Sequence, residues 1–159
     1  KTRLDTRFAL IGDVDPHNPS SYTAAELREL TSTGTVEWCG WKDDMQTVFE
    51  QSHIVCLPSY REGLPKALID AAACGKPIVT TDVPGCRAVV RDGENGFLVP
   101  AGDSTALADA LLRLLKDPQL RRNMGQAGRA IAEQRFSIER VVEQTLALYD
   151  AALQQTYAR

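Results

Sequence analysis

Apolar and polar positions along the chain switch repeatedly between two periods. FALIG (8–12), TVEWCG (35–40), HIVCLP (53–58), IVTTD (78–82) and FLVP (97–100) are short apolar runs bounded by turn-forming residues, and they read as strands. HIVCLP and IVTTD are apolar on both faces, the mark of interior parallel strands. Between them the period lengthens. Residues 22–31 place Ala24, Leu27 and Leu30 at spacing three, and DDMQTVFEQS (43–52) turns Met45, Val48 and Phe49 inward, with Asp43 as its expected cap. A helix over 65–74 is stopped by Gly75 and Pro77. PGCRAVV reads as a short helical turn and RDGENG (91–96) as a tight turn. Closing helices fill about 104–159. Ser104 is the expected cap of the first, with Leu107, Leu111 and Leu114 or Leu115 on one side. Asp117-Pro118 ends it and starts a second, to about Gln134. A third runs from about Ser137, with Ile138, Val141, Val142, Thr145, Leu146 and Tyr149 on one stripe.

Strand and helix alternate from residue 8 to 116. That order predicts an α/β domain, a Rossmann-like doubly wound parallel sheet with right-handed crossovers. Ligands of such sheets sit beyond the carboxyl ends of the strands, so the loops at 12–20, 40–42, 58–64 and 82–86 are expected on one rim. The length of 159 residues suits one domain and is short for two.

Composition removes several function classes. Hydrophobic residues are 43% and charged residues 25%, with a net charge of −3 and no basic tract, so nothing points to nucleic acid. No run of 18 apolar residues is present, and no signal peptide is read. The opening KTRLDTRFALIG reads like the middle of a longer protein, so the chain is expected to be an excised piece. Cys39, Cys56, Cys74 and Cys86 form no C-x-x-C pair and are expected to be free, buried thiols of a reducing compartment. His17 lies in a Pro/Asn/Ser loop and His53 starts an apolar run, so no metal site is expected.

The stretch SYREGLPKALID (59–70) carries the chemistry. Ser59 and Glu62 have capping-box spacing, but a helix starting there would hold Pro65 at its sixth position, at a cost of about 3 kcal/mol. A start at Leu64 or Pro65 avoids that and leaves Ser59–Gly63 as a loop on the rim. Gly63 then lets backbone approach a ligand. The open amides of Leu64, Lys66 and Ala67 make an anion site, with the Lys66 side chain nearby. Glu62 precedes that site and Asp70 follows a turn and a half later. Carboxylates repel phosphate but accept hydrogen bonds from the diols of a ribose or hexose.

PSYREGLPKALIDAAACGKPIVTTDVPGC resembles the signature of the family 4 retaining glycosyltransferases of the GT-B fold. That signature is Pro-Ser-x-x-Glu-Gly-x-Pro, then an acid eight residues after the first Glu, then Ala-x-Gly-x-Pro-Val-Val. GDVDPHNPSS, RDGENGFLVPAGD and RFSIERVVEQTLALY extend the resemblance over residues 8–150. It implies that residues 1–159 are the C-terminal, nucleotide-sugar donor-binding domain, truncated on its N-terminal side. It assigns Glu62 to hydroxyls of the transferred sugar, the amides of Gly63 and Leu64 to the donor diphosphate, and Asp70, Glu in most members, to the ribose. Trp38 to Gly40 would flank the nucleobase through backbone groups, and Pro84 and Gly85 would supply shape. Many relatives have Glu where this chain has Ala88, which leaves Arg87 as the polar side chain of that turn.

The implied reaction moves a hexose or N-acetylhexosamine from a nucleoside-diphosphate sugar, expected to be a uridine diphosphate sugar, to a saccharide or lipid-linked acceptor. No metal or other cofactor is implied. The acceptor would be reached through an N-terminal domain that this chain lacks, together with a basic diphosphate clamp. The chain alone is therefore expected to fold without transferring sugar. CGWKDDM and GDVDPHN look most like capsule and lipopolysaccharide enzymes, which implies a cytoplasmic protein working at the inner face of the membrane. A non-hydrolysing nucleotide-sugar epimerase and a noncatalytic domain stay open beside this reading. A dehydrogenase lacks its G-x-G-x-x-G.

Overall fold

A computed structural model of the chain describes residues 6–17 and 21–157; the remainder of the expected 12–20 loop lies outside the described residues. The elements alternate as expected: β1 (Phe8–Ile11), α1 (Ala24–Thr31), β2 (Val36–Gly40), α2 (Met45–Gln51), β3 (Val55–Leu57), α3 (Lys66–Ala73), β4 (Ile78–Thr81), α4 (Pro84–Val89), β5 (Gly96–Val99), then α5 (Ser104–Lys116), α6 (Pro118–Phe136) and α7 (Ile138–Tyr157). The fold is α/β and every paired strand is parallel. The ladder is in two pieces, β1-β2 and β3-β4-β5. The chain correspondingly divides into two compact units that meet in sequence between Val48 and Phe49.

In the first unit β1 and β2 pair from Phe8↔Val36 to Ile11↔Gly40. A full capping box starts α1. Thr23 Oγ1 accepts the Glu26 amide at 3.2 Å, and the Glu26 carboxylate accepts the Thr23 amide at 2.7 Å. Those bonds hold the Glu26 carboxyl below its ordinary range. Of the expected stripe only Leu27 is buried; Leu30 faces solvent. The cap of α2 is Asp44, not Asp43: Thr47 donates its amide to Asp44 at 3.0 Å, while Asp43 accepts from the Trp41 indole at 2.9 Å. A one-residue change of phase decides which of two adjacent carboxylates can reach the orphan amides.

In the second unit β4 is central and all four of its residues are buried, as expected of IVTTD. β3 departs from expectation. It spans three residues, pairs among the described residues only with β4, and leaves Cys56 exposed. Val79, Phe97, Val99, Ala110, Leu114 and Met124 form one core, with Leu107 and Leu111 packed on it. Asp103 caps α5, accepting the Ala106 amide at 2.9 Å, and the expected cap Ser104 is the first helical residue. Asp117 both ends α5 and caps α6, with Pro118 at the first position. The α7 stripe is uncovered: Ile138, Val141, Val142, Leu146 and Tyr149 are exposed. The four cysteines are free, but only Cys86 is buried; Cys39 and Cys74 are half-buried. No helix among the described residues is long and apolar enough to cross a membrane.

Candidate functional site

The site is built where β3 and β4 end and α3 and α4 begin. The loop from Pro58 to Pro65 leaves β3, and α3 starts at Lys66 with Pro65 as its N-terminal cap, one or two residues later than the sequence suggested. Pro65 is buried, and its carbonyl accepts the Leu68 amide at 3.0 Å. The amides of Lys66 and Ala67 open the helix and have no partner within it. The capping-box alternative fails. Ser59 caps no helix, since Gly63 and Leu64 are not helical.

Two buried hydroxyls fasten the loop. Thr80 donates to the Leu57 carbonyl at 2.7 Å, and Thr81 donates to the Ser59 carbonyl. Both threonines are buried, where an unpaired hydroxyl would cost about 1–3 kcal/mol. The apolar reading of IVTTD passed over both of these fastenings. The available signal was two adjacent hydroxyls at the carboxyl end of a buried strand, which must find partners.

Gly85 is the third fastening. A Cβ there would stand 2.3 Å from the Glu62 carbonyl oxygen and 2.5 Å from that of Gly63. The first turn of α4 thus lies directly against the Glu62–Gly63 backbone, and no side chain larger than hydrogen fits without moving it. The expected neighbourhood of 58–64 and 82–86 is present. Arg87 is turned back on its own segment, donating to the Asp82 carboxylate at 2.8 Å.

The Glu62 side chain is half-buried, and no hydrogen bond or ion pair reaches its carboxylate among the described residues. Lys66 and Asp70 pair with each other one turn apart, Nζ to Oδ2 at 2.6 Å, with 84% and 34% of their side chains exposed. Such an exposed pair contributes about 0–1 kcal/mol, so an incoming ligand separates it at little cost. Glu62, Gly63, Leu64, Lys66, Asp70 and Gly85 are therefore gathered at one loop–helix junction. Trp38 and Gly40 belong to the first unit. There the Trp38 indole donates to the Gly12 carbonyl at 2.9 Å, and the Gly12 amide donates to the Gly40 carbonyl at 3.0 Å. That ties the ends of β1 and β2 together.

The pattern of the Glycosyl transferases group 1 family matches residues 1–117. The N-acetyl-alpha-D-glucosaminyl L-malate synthase of Bacillus anthracis is 33% identical over 149 residues, 93% of this chain and 38% of that protein. An N,N'-diacetylbacillosaminyl-diphospho-undecaprenol alpha-1,3-N-acetylgalactosaminyltransferase of Campylobacter jejuni is 32% identical over 92% of this chain and 37% of its own length. The crystal structure of Anabaena HepE in complex with UDP superposes with a TM-score of 0.82 at 25% identity, covering 90% of this chain and 40% of that one. The chain thus spans well under half the length of these proteins. It belongs to the Glycosyl transferases group 1 family, and its fold is that of the C-terminal domain of a GT-B glycosyltransferase.

Proposed function

We propose that this chain holds the nucleoside-diphosphate sugar, a uridine diphosphate sugar, for a retaining glycosyl transfer to a saccharide or lipid-linked acceptor. The observation that carries the reading is the Glu62 carboxylate, half-buried and without a partner among the described residues, on a loop held by Thr80, Thr81 and Gly85. A carboxylate on a fastened loop at a rim, with its oxygens open among the described residues, is suited to accept hydrogen bonds from sugar hydroxyls. Beside it, the amides of Gly63, Leu64, Lys66 and Ala67 and the Lys66 ammonium are suited to a diphosphate. On arrival of that anion, Lys66 leaves Asp70 for it, and Asp70 is freed for the two ribose hydroxyls.

Negative charge grows on the diphosphate as the sugar–phosphate bond breaks. Helix-start amides and Lys66 lower the barrier by meeting that charge where it forms. Glu62 positions the transferred sugar rather than attacking it, and the acceptor hydroxyl enters from the face that the diphosphate leaves. Residues outside this chain supply the acceptor platform. The UDP complex of HepE supports the choice of donor, and the diphospho-undecaprenol in the Campylobacter protein's name supports a lipid-linked acceptor at a membrane face.

Calorimetry of the longer enzyme separates the two carboxylates. Asp70→Asn is expected to weaken uridine diphosphate by roughly one to two decades, the worth of a charged hydrogen bond of about 1.5–3 kcal/mol. Glu62→Gln is expected to leave nucleotide affinity intact and to damage transfer. Equal losses of nucleotide affinity would refute this division, and a preference for guanosine diphosphate would overturn the base.

A further inference from the structure

A second concavity opens beside the Glu62 loop, and the donor reading does not use it. It is a cavity of about 230 Å³ at the carboxyl ends of β3, β4 and β5, closed on one side by the start of α5. Every residue that lines it belongs to the second unit. Tyr60 forms one wall with 75% of its surface exposed, although it lies only two residues from Glu62 in a loop that is otherwise fastened. An aromatic ring held out in water at a rim is apolar surface without a partner.

The opposite wall comes close to the hydroxyl end of that ring. Gly102 has φ +82, a backbone conformation that side chains rarely tolerate, and even a single Cβ there would come within 3.8 Å of the Tyr60 ring and 3.9 Å of its hydroxyl. A longer side chain at 102 would crowd the edge of the ring beside its hydroxyl. Val99 supplies an apolar floor, and the polar groups are the hydroxyls of Tyr60 and Ser104, the carboxylate of Asp103 and the hydroxyl of Thr81, which is already given to the Ser59 carbonyl. One Asp103 oxygen is committed to capping α5. Its second oxygen is an acceptor turned to no helix amide.

The charge of the lining selects the ligand class. No lysine or arginine is among the lining residues, and a carboxylate is, so a phosphate or another acid is disfavoured. What remains is an aromatic face for C–H groups, with hydrogen-bond acceptors and hydroxyls around its edge. A pyranose ring has that complement: one face of C–H groups to lay on the ring, and a rim of hydroxyls to donate to the carboxylate. We propose that this cavity is a subsite for one neutral sugar ring, separate from the donor, stacked on Tyr60 and hydrogen-bonded to Asp103. The proposal rests on the glycosyltransferase reading for its biological meaning. There the ring is a unit of the saccharide acceptor or product, held within reach of the loop that positions the transferred sugar.

The test needs no nucleotide, so its failure is distinct from failure of the donor site. Methyl α-glucoside and the methyl glycoside of N-acetylglucosamine are titrated into the chain while amide resonances are recorded, with and without uridine diphosphate. Saturable shifts at Tyr60, Gly102 and Ser104 are expected, persisting when salt is raised because the ligand is neutral. Tyr60→Phe keeps the stacking face and should keep the shifts. Tyr60→Ala should weaken them by about tenfold or more, a loss of roughly 1.4 kcal/mol. Because Tyr60 is exposed, its replacement leaves the fold intact, as the unchanged remainder of the spectrum will show. Absence of saturable shifts with either glycoside, equal binding by Tyr60→Ala, or binding that disappears with salt would each overturn the proposal.

Discussion

Residues 6–48 and residues 49–157 are written in the same alternation of parallel strand and helix, yet they enclose very different interiors. In the first, Phe8 and Leu10 of β1 remain 41% and 38% exposed, and Leu27, at 5%, is the only buried hydrophobic residue among those described. In the second, β4 lies between β3 and β5, and Leu68, Ile78, Val79 and Leu114 are sealed from solvent. The strands do not differ much in composition. They differ in neighbours. A parallel strand becomes interior only when strands flank it on both edges and helices cover both faces. Of the strands described, β4 alone has a hydrogen-bonded partner on each edge. The candidate site is fastened to that strand. Thr80 and Thr81 are its last two residues, so the loop bearing Glu62 inherits the rigidity of the best-packed element in the molecule.

The comparison breaks if matched truncations cost the same in both units. Leu114→Ala is expected to destabilise the chain by about 2–5 kcal/mol in denaturant unfolding, while Leu10→Ala costs about 1 kcal/mol. Next in size is Gly125→Ala on α6. A Cβ there would stand 2.0 Å from the Gly75 carbonyl oxygen at the end of α3. Overpacking is expected to cost about 1–3 kcal/mol, partly offset by the roughly 1 kcal/mol that alanine gains over glycine in a helix. A net gain in stability would show that the α3–α6 contact gives way easily.

Smaller effects sharpen the view of the first unit. Thr23→Ala removes the cap of α1 and is expected to cost about 0.5–2 kcal/mol, read from amide exchange within residues 24–31. The same cap is sensitive to acid. The Glu26 carboxyl is held below its ordinary value by its bonds to Thr23, so its contribution is fully present above the unfolded value. That contribution is lost as pH falls through the depressed folded one. Thr23 and Glu26 amide signals followed against pH should move over that range; signals indifferent to pH there would remove Glu26 from the cap. Smallest is Leu146→Ser on the uncovered face of α7. Leu146 is 58% exposed, so the change should alter stability by no more than about 0.5 kcal/mol. A larger loss would mean that the α7 stripe is covered in solution.

Residue order by itself determined the succession of elements, because a period of two or of three to four is a property of neighbouring side chains. It likewise determined the junction chemistry. A Gly-x-Pro between two carboxylates eight apart forces a loop and then a helix start, with acids on either side, whatever packs around it. Helix caps were placed one residue off at Asp44 and Asp103, since adjacent polar side chains look alike until the turn's phase selects one. Only the tertiary structure decided which apolar strand was buried. HIVCLP and IVTTD read alike as sequence, yet within this chain Cys56 is exposed and Val79 sealed, because β4 has a strand on each edge and β3 among the described residues has one on a single edge. The fastening of Glu62 was decided in the same way. The Thr81 bond to Ser59 and the contact of Gly85 with the Glu62 carbonyl join residues about 22 apart, and no local pattern encodes a distance across space.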